Sequence, residues 1–312
     1  MTTEPVGIKP TSFAPTKAFL LRRRIIVRLV AVLLFLAAAL SVAITAGIVY
    51  VLVSESWTFF QVVPIWVFLT DTQWTPVFAN PRYGILPLLT ATLWAAGIAL
   101  VIAIPMGTAL AVYLSEYAPA AVRETVKPIL ELIEAVPTVV FGYFALLFLT
   151  PIARQFIPGL SGFNLIVPGI VIGIMVLPYI VSVSEDAMRA VPRALREGAY
   201  GLGMSRLQVA FRVVIPGAFS GITAAYVLAM SRAVGETMVL AIAAGQNPNL
   251  TADPREGAAT ITSYIVQMAM GDLPHGSLAY QTIFAAGLTL FVLTLGFNIV
   301  GFYLRRRFRE TY

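Results

Sequence analysis

The sequence predicts an all-α polytopic membrane protein with six transmembrane helices. Of its 312 residues, 59% are apolar and 12% are charged, whereas a soluble globular chain carries about 25% charged residues. Six apolar runs reach the roughly 20 residues that a helix needs to cross the hydrocarbon core of a bilayer. These runs lie at about 25–53, 84–113, 129–152, 165–184, 217–245 and 280–304.

The first apolar run is predicted to be a retained transmembrane helix. The stretch from Ile25 to Val53 is longer than the 7–15-residue apolar core of a cleaved secretory signal. We expect residues 1–83 to comprise a cytoplasmic tail of about 20 residues, this helix and an external aromatic segment. Those aromatic side chains fit an interfacial belt, which we favour, or a surface that docks an external partner. Residues 84–304 are expected to form one unit of five spans, followed by a basic cytoplasmic tail at 305–312.

The basic residues predict the orientation of the chain. Of the 21, 17 lie at the termini or in the loops after the second and fourth spans, 3 lie in the other loops, and Arg232 lies within a span. Because an even number of spans places both termini on one side, the positive-inside rule puts them in the cytoplasm. Topology therefore accounts for the net charge of +6, and no nucleic-acid partner is expected.

The composition argues against an enzyme. Cysteine is absent and His275 is the single histidine, which excludes thiolate metal sites and cysteine nucleophiles. An intramembrane hydrolase would lack the nucleophile–base pair or metal cluster that it requires. The chain also lacks the glycine-rich loop ending in lysine that cradles nucleotide phosphates. We therefore expect a transport subunit with no catalytic residues, no metal site and no cofactor, and we expect ATP to bind elsewhere.

Two charges interrupt the fifth apolar run. Arg232 and Glu236 are four residues apart, a spacing that places them on one helix face where they can meet. A lone arginine in hydrocarbon costs roughly 3 kcal/mol on insertion scales, so such charges normally face a bundle interior or a polar path. The pair fits a structural lock or a path for an anion, which Arg232 would bind through its planar fork of donors. Glu236 would then neutralise Arg232 while the path is empty, admit the anion by exchanging partners with it or, when protonated, donate a hydrogen bond to it. Ser231 and Thr237 belong to the same candidate path.

The loop between the fourth and fifth spans has a distinctive pattern. Arg193 to Gly201 reads as a short polar helix, and Gly203 permits a sharp turn after it. A second short segment then runs to Pro216. Its apolar residues on one side are predicted to be Leu207, Phe211 and Val214. Two short helices joined by glycine make a protrusion that can insert into a partner's groove.

This loop resembles the signature loop of ABC-type importer permeases, which reads Glu-Ala-Ala, three residues, Gly, nine residues and Ile-x-Leu-Pro. The chain has Glu197-Gly198-Ala199, Gly203 and Val213-x-Ile215-Pro216 at the same spacing, with small or branched apolar exchanges at three positions. The resemblance covers about residues 84–304 and implies the type I ABC importer permease fold. It also implies that the coupling loop, 186–216, docks on an ATP-binding subunit. The implied contact residues are Arg193, Arg196, Glu197, Gly198, Ala199, Gly203, Arg206 and Pro216.

The fifth span narrows the resemblance. The string from Ser231 to Met238, Ser-Arg-Ala-Val-Gly-Glu-Thr-Met, resembles high-affinity phosphate permeases, and Thr-Met after the glutamate favours their C-type permease over its A-type sister permease. This likeness implies half of a phosphate path, paired with the sister permease, two ATP-binding subunits and an external phosphate-binding protein. It also implies that the protein spans the cytoplasmic (inner) membrane of a bacterium or archaeon and contacts membrane lipid. A permease for sulfate or molybdate, or the A-type sister permease itself, remains an alternative.

Overall fold

The computed structural model describes residues 17–307, with side chains from residue 20 onward. The predicted tail residues 1–16 and 308–312 lie outside this range, whereas 17–20 already belong to the first helix. The helices are α1 (Lys17–Val62), α2 (Ile65–Thr70), α3 (Leu86–Val112), α4 (Ala120–Ala135), α5 (Thr138–Phe144), α6 (Thr150–Phe156), α7 (Ile166–Ala190), α8 (Arg193–Gly201), α9 (Arg206–Val209), α10 (Ile215–Gly217), α11 (Phe219–Val234), α12 (Met238–Ala243), α13 (Ile261–Ala269) and α14 (Leu278–Arg307). The π-helical turns are Tyr113–Tyr117, Ala145–Leu149 and Ala210–Val214. The chain divides into two compact units, of which the first ends at Val51 and the second begins at Leu52.

Helical segments of membrane-spanning length correspond to the predicted apolar runs. Within residues 17–307, five are long and apolar enough to cross a bilayer: Leu20–Val62, Leu86–Tyr117, Thr138–Phe156, Ile166–Ala190 and Leu278–Arg307. A sixth candidate is the bent pair of Arg206–Gly217 and Phe219–Val234, whose axes differ by 73°. The predicted run at 217–245 therefore starts at a sharp bend and is divided between α11 and α12.

The third span begins later than predicted. The apolar run was expected to cross the membrane from about residue 129, but α4 contains no buried residue and ends at Ala135. Val136 is extended, with ψ of 128°, because Pro137 disfavours helical backbone in the residue before it. The span starts at Thr138, so α4 is a separate helix that precedes it.

Small residues allow α3 and α7 to pack closely at the centre of the second unit. Ala95, Ala99 and Ala103 of α3 are buried, and a Cβ atom added at Gly173 of α7 would lie 2.9 Å from the Ala99 carbonyl oxygen. Such small residues are how membrane helices approach each other without a hydrophobic driving force. The buried core continues from α3 and α7 into α11 and α12, so this frame supports the broken fifth span.

The external aromatic segment is partly a core. Phe59, Phe68 and Trp74 are at most 2% exposed, and the Trp74 ring meets that of Tyr264 edge to face at 5.1 Å. These three rings are therefore accessible neither to headgroups nor to a partner, contrary to both readings of the sequence. The exposed indoles of this segment, Trp57 and Trp66, are 67% and 73% accessible and fit an interfacial belt.

Candidate functional site

Arg232 and Glu236 form an ion pair where the fifth span breaks. Arg232 lies in the last turn of α11, and α12 begins only at Met238. Arg232 Nη1 is 3.2 Å from Glu236 Oε2, with side-chain exposures of 38% and 1%. The contact lacks the angle of a hydrogen bond, and Oε2 accepts none from the residues described. Arg232 is thus reachable from outside the protein, while its counter-charge is buried.

Backbone and hydroxyl groups hold the break in place. α11 ends at Val234, and Gly235 follows it with φ of −85°. Glu236 Oε1 accepts a hydrogen bond from the Val239 amide at 3.4 Å. Thr262 Oγ1, at the start of α13, donates to the Glu236 carbonyl oxygen at 2.7 Å. The carbonyl freed by the break is therefore satisfied inside the protein, as a membrane interior requires. Sequence reasoning missed Thr262, whose partner lies 26 residues away in the chain.

The other two predicted path residues flank the pair. Thr237 Oγ1 donates to the Gly235 carbonyl oxygen at 3.1 Å, so it serves the local backbone. Ser231 Oγ lies 3.3 Å from the side-chain nitrogen of Asn298 on α14 and accepts a hydrogen bond from it. Ser231 and Thr237 are half-buried, and they border the Arg232–Glu236 pair rather than forming part of it.

The loop at 186–216, which the positive-inside rule predicts to be cytoplasmic and which is called the cytoplasmic loop below, folds as its sequence predicts at the first helix and the turn. The predicted helix from Arg193 to Gly201 is α8, with the same bounds. Gly203 has φ of +80°, a conformation that costs a residue with a Cβ atom extra energy. Glu197, Gly198, Arg193, Arg206 and Pro216 are exposed, and Ala199 is buried. The charged side chains of Arg193, Glu197 and Arg206 are thus exposed on the loop, and Ala199 is buried beneath them.

Arg196 faces inward, unlike the other predicted contact residues. Its side chain is 16% exposed and its Nη2 lies 3.2 Å from Oε1 of Glu116, which is 6% exposed. It also donates to the carbonyl oxygens of Val191 and Met188 at 2.7 Å each. Arg196 therefore positions α8 against the end of α7 and the π-helical turn after α3, and its guanidinium already binds three acceptors within the protein.

The tip of the loop carries an apolar residue that sequence reasoning missed. Leu202 follows α8, lies between two glycines and is 86% exposed. Leu207 and Phe211 are each 59% exposed, whereas Val214 is fully buried. The prediction that Leu207, Phe211 and Val214 share one side is therefore wrong, because the π-helical turn from Ala210 adds a residue and shifts the register. A leucine flanked by glycines in a polar loop was the available signal for Leu202.

A buried ion cluster ties α4 to the end of α7. Lys127 Nζ contacts Glu185 Oε2, and it lies 3.0 Å from Asp186 Oδ1. Partial burial lowers the pKa of Lys127, but hydrogen bonds to Glu185 and Asp186 raise that pKa by more, so the ammonium stays charged at physiological pH. Lys127 has Glu131 at the i+4 helical spacing but pairs with Glu185 instead, and Glu185, near the end of the fourth span, is 0% exposed.

Replacing Lys127 by methionine should destabilise the protein by roughly 3 kcal/mol, because it strands the buried Glu185 carboxylate. Arg189, 3.5 Å from Glu185 but 44% exposed, offers only a weak substitute. Thermal unfolding of the purified protein in detergent would measure the loss. Asp186→Asn is the matched control, since Asp186 is 67% exposed and its loss should cost little. An unchanged unfolding temperature for Lys127→Met would show that this pair does not hold α4.

No group of three or more metal-ligating side chains occurs among residues 17–307. His275 lies in the external loop before α14 and packs its ring against Tyr280, with centroids 4.8 Å apart. The described residues thus offer a reachable guanidinium at the break and a loop with exposed charged side chains.

Comparison with known proteins gives a consistent set of relatives. The family model described as "Binding-protein-dependent transport system inner membrane component" matches residues 103–310. The chain is 36% identical to the probable ABC transporter permease protein YqgH of Bacillus subtilis, over 77% of each chain. It is 32% identical to the phosphate transport system permease protein PstC of Mesorhizobium japonicum, over 87% of each. It is 34% identical to PstC 1 of Mycobacterium tuberculosis, over 78% of this chain and 82% of that one.

Solved structures share the fold. A bacterial alginate ABC transporter, in complex with its alginate pentasaccharide-bound periplasmic protein, contains a chain similar at a TM-score of 0.63 and 17% identity. The likeness covers 89% of this chain and 96% of that one. The MetNI methionine ABC transporter gives a TM-score of 0.53 at 19% identity, over 73% and 95%. At such identities the likeness concerns the fold alone, and it confirms the predicted fold class.

Proposed function

Because this chain belongs to the family of inner membrane components of binding-protein-dependent transport systems, we propose that it is the permease subunit of an ATP-driven importer of inorganic phosphate. Family membership makes it an ABC importer permease of several spans in the inner membrane. The assignment of phosphate as the substrate goes further, and it rests on Arg232. The names of the PstC relatives support the same substrate.

Arg232 has the chemistry and the exposure of an anion-binding residue. Its guanidinium offers two parallel N–H donors that match phosphate oxygens, and 38% of its side chain is accessible. It contacts Glu236 through an ion pair without hydrogen-bond geometry. A phosphate oxygen could therefore reach donors of Arg232 while the Glu236 carboxylate stays in place.

Glu236 offsets the cost of Arg232 when the path is empty. A charge at mid-membrane costs roughly 3 kcal/mol on insertion scales, and the 3.2 Å contact with the carboxylate compensates for it. An arriving phosphate would bind Arg232 beside this carboxylate, and the buried carboxylate would then repel the anion onward. The affinity of the site for phosphate stays limited because phosphate and the Glu236 carboxylate share one guanidinium. Transport requires such limited affinity, since the ion must also leave the site.

The assembly follows from the same proposal. This chain would supply half of the path and pair with a sister permease of the A type, while two ATP-binding subunits dock on the cytoplasmic loop around α8. A phosphate-binding protein would deliver substrate on the external side. Both termini would lie in the cytoplasm, on the side of the loop that carries Arg193, Arg206 and Arg212, as the positive-inside rule requires.

The substrate is tested by uptake of labelled phosphate into proteoliposomes that contain the complete transporter, internal ATP and external binding protein. We expect accumulation that depends on ATP and is suppressed by unlabelled phosphate but not by an equal excess of sulfate or molybdate. The YqgH relative, named only as a permease, keeps another oxyanion as the second candidate. Equal competition by sulfate or molybdate would replace phosphate with that candidate.

Omitting the sister permease from the same proteoliposomes should abolish uptake, since one chain supplies one charged pair and half of a path. The control is a preparation in which both permeases are present and the ATP-binding subunits are at matched amounts. ATP-driven uptake at the full rate by complexes that contain only this permease would contradict the heterodimer.

A further inference from the structure

A cavity of about 370 Å³ opens beside the cytoplasmic loop. It lies among the π-helical turn after α3, the first turns of α4, the end of α7 and α8. Its charged lining consists of Arg123, Arg189, Arg193, Arg196, Glu116 and Glu197. Four guanidinium groups thus face two carboxylates, which leaves a formal excess of two positive charges. The volume falls in the range of small-ligand sites, roughly 300–1,000 Å³.

Not all of these charges are neutralised within the protein. Arg196 and Glu116 pair with each other, and Arg189 makes only a 3.5 Å contact with Glu185. Neither Arg123 nor Arg193 has an ion-pair or hydrogen-bond partner among the side chains described from residue 20 to 307. Of the lining carboxylates, Glu197 alone is left to oppose these three arginines, and it is exposed. The cavity therefore presents fork-shaped cationic donors without enough internal acceptors.

We propose that this cavity binds a phosphate group on the cytoplasmic side of the membrane. Arginine forks are the protein groups best matched to the planar pairs of oxygens on a phosphate. Arg123 belongs to α4 and Arg193 to α8, so a bound phosphate group bridges the helix held by Lys127 and the helix that carries the loop tip. The site is distinct from the Arg232 pair and does not depend on which ion the membrane path carries.

The phosphate group has two possible sources. Inorganic phosphate is present in the cytoplasm, and an anionic phospholipid presents the same oxygens at the headgroup level. α4 favours access to lipid, because Ile129 and Leu132 are 51% and 67% exposed and would lie in the apolar part of the leaflet. The two sources share the arginine chemistry and differ in whether acyl chains accompany it.

The test compares Arg123→Gln with Arg212→Gln in the complete purified transporter. Arg212 is exposed on the same cytoplasmic loop and does not line the cavity, so it controls for the loss of one charge. Two quantities are measured on each complex: equilibrium binding of labelled inorganic phosphate, and the amount of anionic phospholipid that copurifies. Arg232 is retained throughout, so a difference between variants reports on this cavity. Arg189→Gln serves as a second cavity variant should Arg123→Gln fail to assemble.

If free phosphate is the ligand, Arg123→Gln should weaken its binding by about tenfold, the effect of one lost charge-assisted contact. If a headgroup is the ligand, Arg123→Gln should remove copurifying anionic lipid instead. Arg212→Gln should leave both quantities at the wild-type level. Equal phosphate binding and equal lipid content in all complexes would overturn the proposal. Loss of only the ATP-binding partner from the Arg123→Gln complex would also overturn it, by assigning the cavity to an acidic group of that partner.

Discussion

Arg232→Gln should reduce ATP-driven phosphate uptake by at least about 30-fold, because it removes the charge that the substrate meets in the membrane. Losing one charge-assisted contact with the substrate should cost about 2 kcal/mol, which corresponds to roughly a 30-fold loss. Arg232→Lys should also be impaired, since an ammonium lacks the planar fork of guanidinium. Uptake by reconstituted transporter, normalised to assembled complex, measures both effects.

The control for this prediction is the double variant Arg232→Gln, Glu236→Gln. It removes both charges of a 3.2 Å pair, so neither is stranded, and buried ion pairs can often be exchanged for neutral groups at little loss of stability. We expect the double variant to assemble normally and to remain inactive. If it assembles and transports at the wild-type rate, the pair is a structural lock and the anion path lies elsewhere.

Leu202→Asp should uncouple ATP hydrolysis from transport, or it should release the ATP-binding subunits from the complex. Leu202 is 86% exposed at the tip of the cytoplasmic loop, so its replacement should cost this protein little stability. A buried apolar anchor at a protein interface is worth roughly 2 kcal/mol or more, which is at least about 30-fold in association. Copurification of the ATP-binding subunits and the ratio of phosphate moved to ATP hydrolysed are the two measurements.

Met270→Asp provides the matched control for Leu202→Asp. Met270 is 84% exposed but follows α13, on the side that the positive-inside rule predicts to be external and thus away from the ATP-binding subunits. The change should leave copurification of the ATP-binding subunits intact. Glu197→Lys, which reverses an exposed charge on α8, should weaken coupling in the same direction as Leu202→Asp. Normal coupling in an assembled Leu202→Asp complex would remove the loop tip from the interface.

The features that sequence could predict are those set by local pattern. Apolar runs of bilayer length predicted the spans, and the residues around Gly203 predicted α8 and its turn. The four-residue spacing predicted the contact between Arg232 and Glu236. Each depends on residues close together in the chain, where helix geometry alone determines neighbours. The late start of the third span at Thr138 was also a local matter, and Pro137 was the signal.

Pairings between distant residues could not be read from the sequence. Lys127 has an acidic residue at the helical spacing, Glu131, yet it pairs with Glu185, because α4 lies against the end of α7. Arg196 looks like a surface cation in its segment but turns toward Glu116, 80 residues away. Only packing decides such partners, and packing also decided that Glu185 is buried rather than solvated.

In the proposed importer, the bend at Ala218 would pass a movement of the cytoplasmic loop on to Arg232. From Phe219 to Arg232, α11 is one uninterrupted helix, an arm of about 20 Å at 1.5 Å per residue. A tilt of this arm by about 10° around its cytoplasmic end would sweep Arg232 through roughly 3–4 Å, comparable with the 3.2 Å contact to Glu236. Because the chain breaks at Gly235, Glu236 and α12 need not follow. A small rotation imposed at the cytoplasmic surface would be enough to form or break the contact between Arg232 and Glu236.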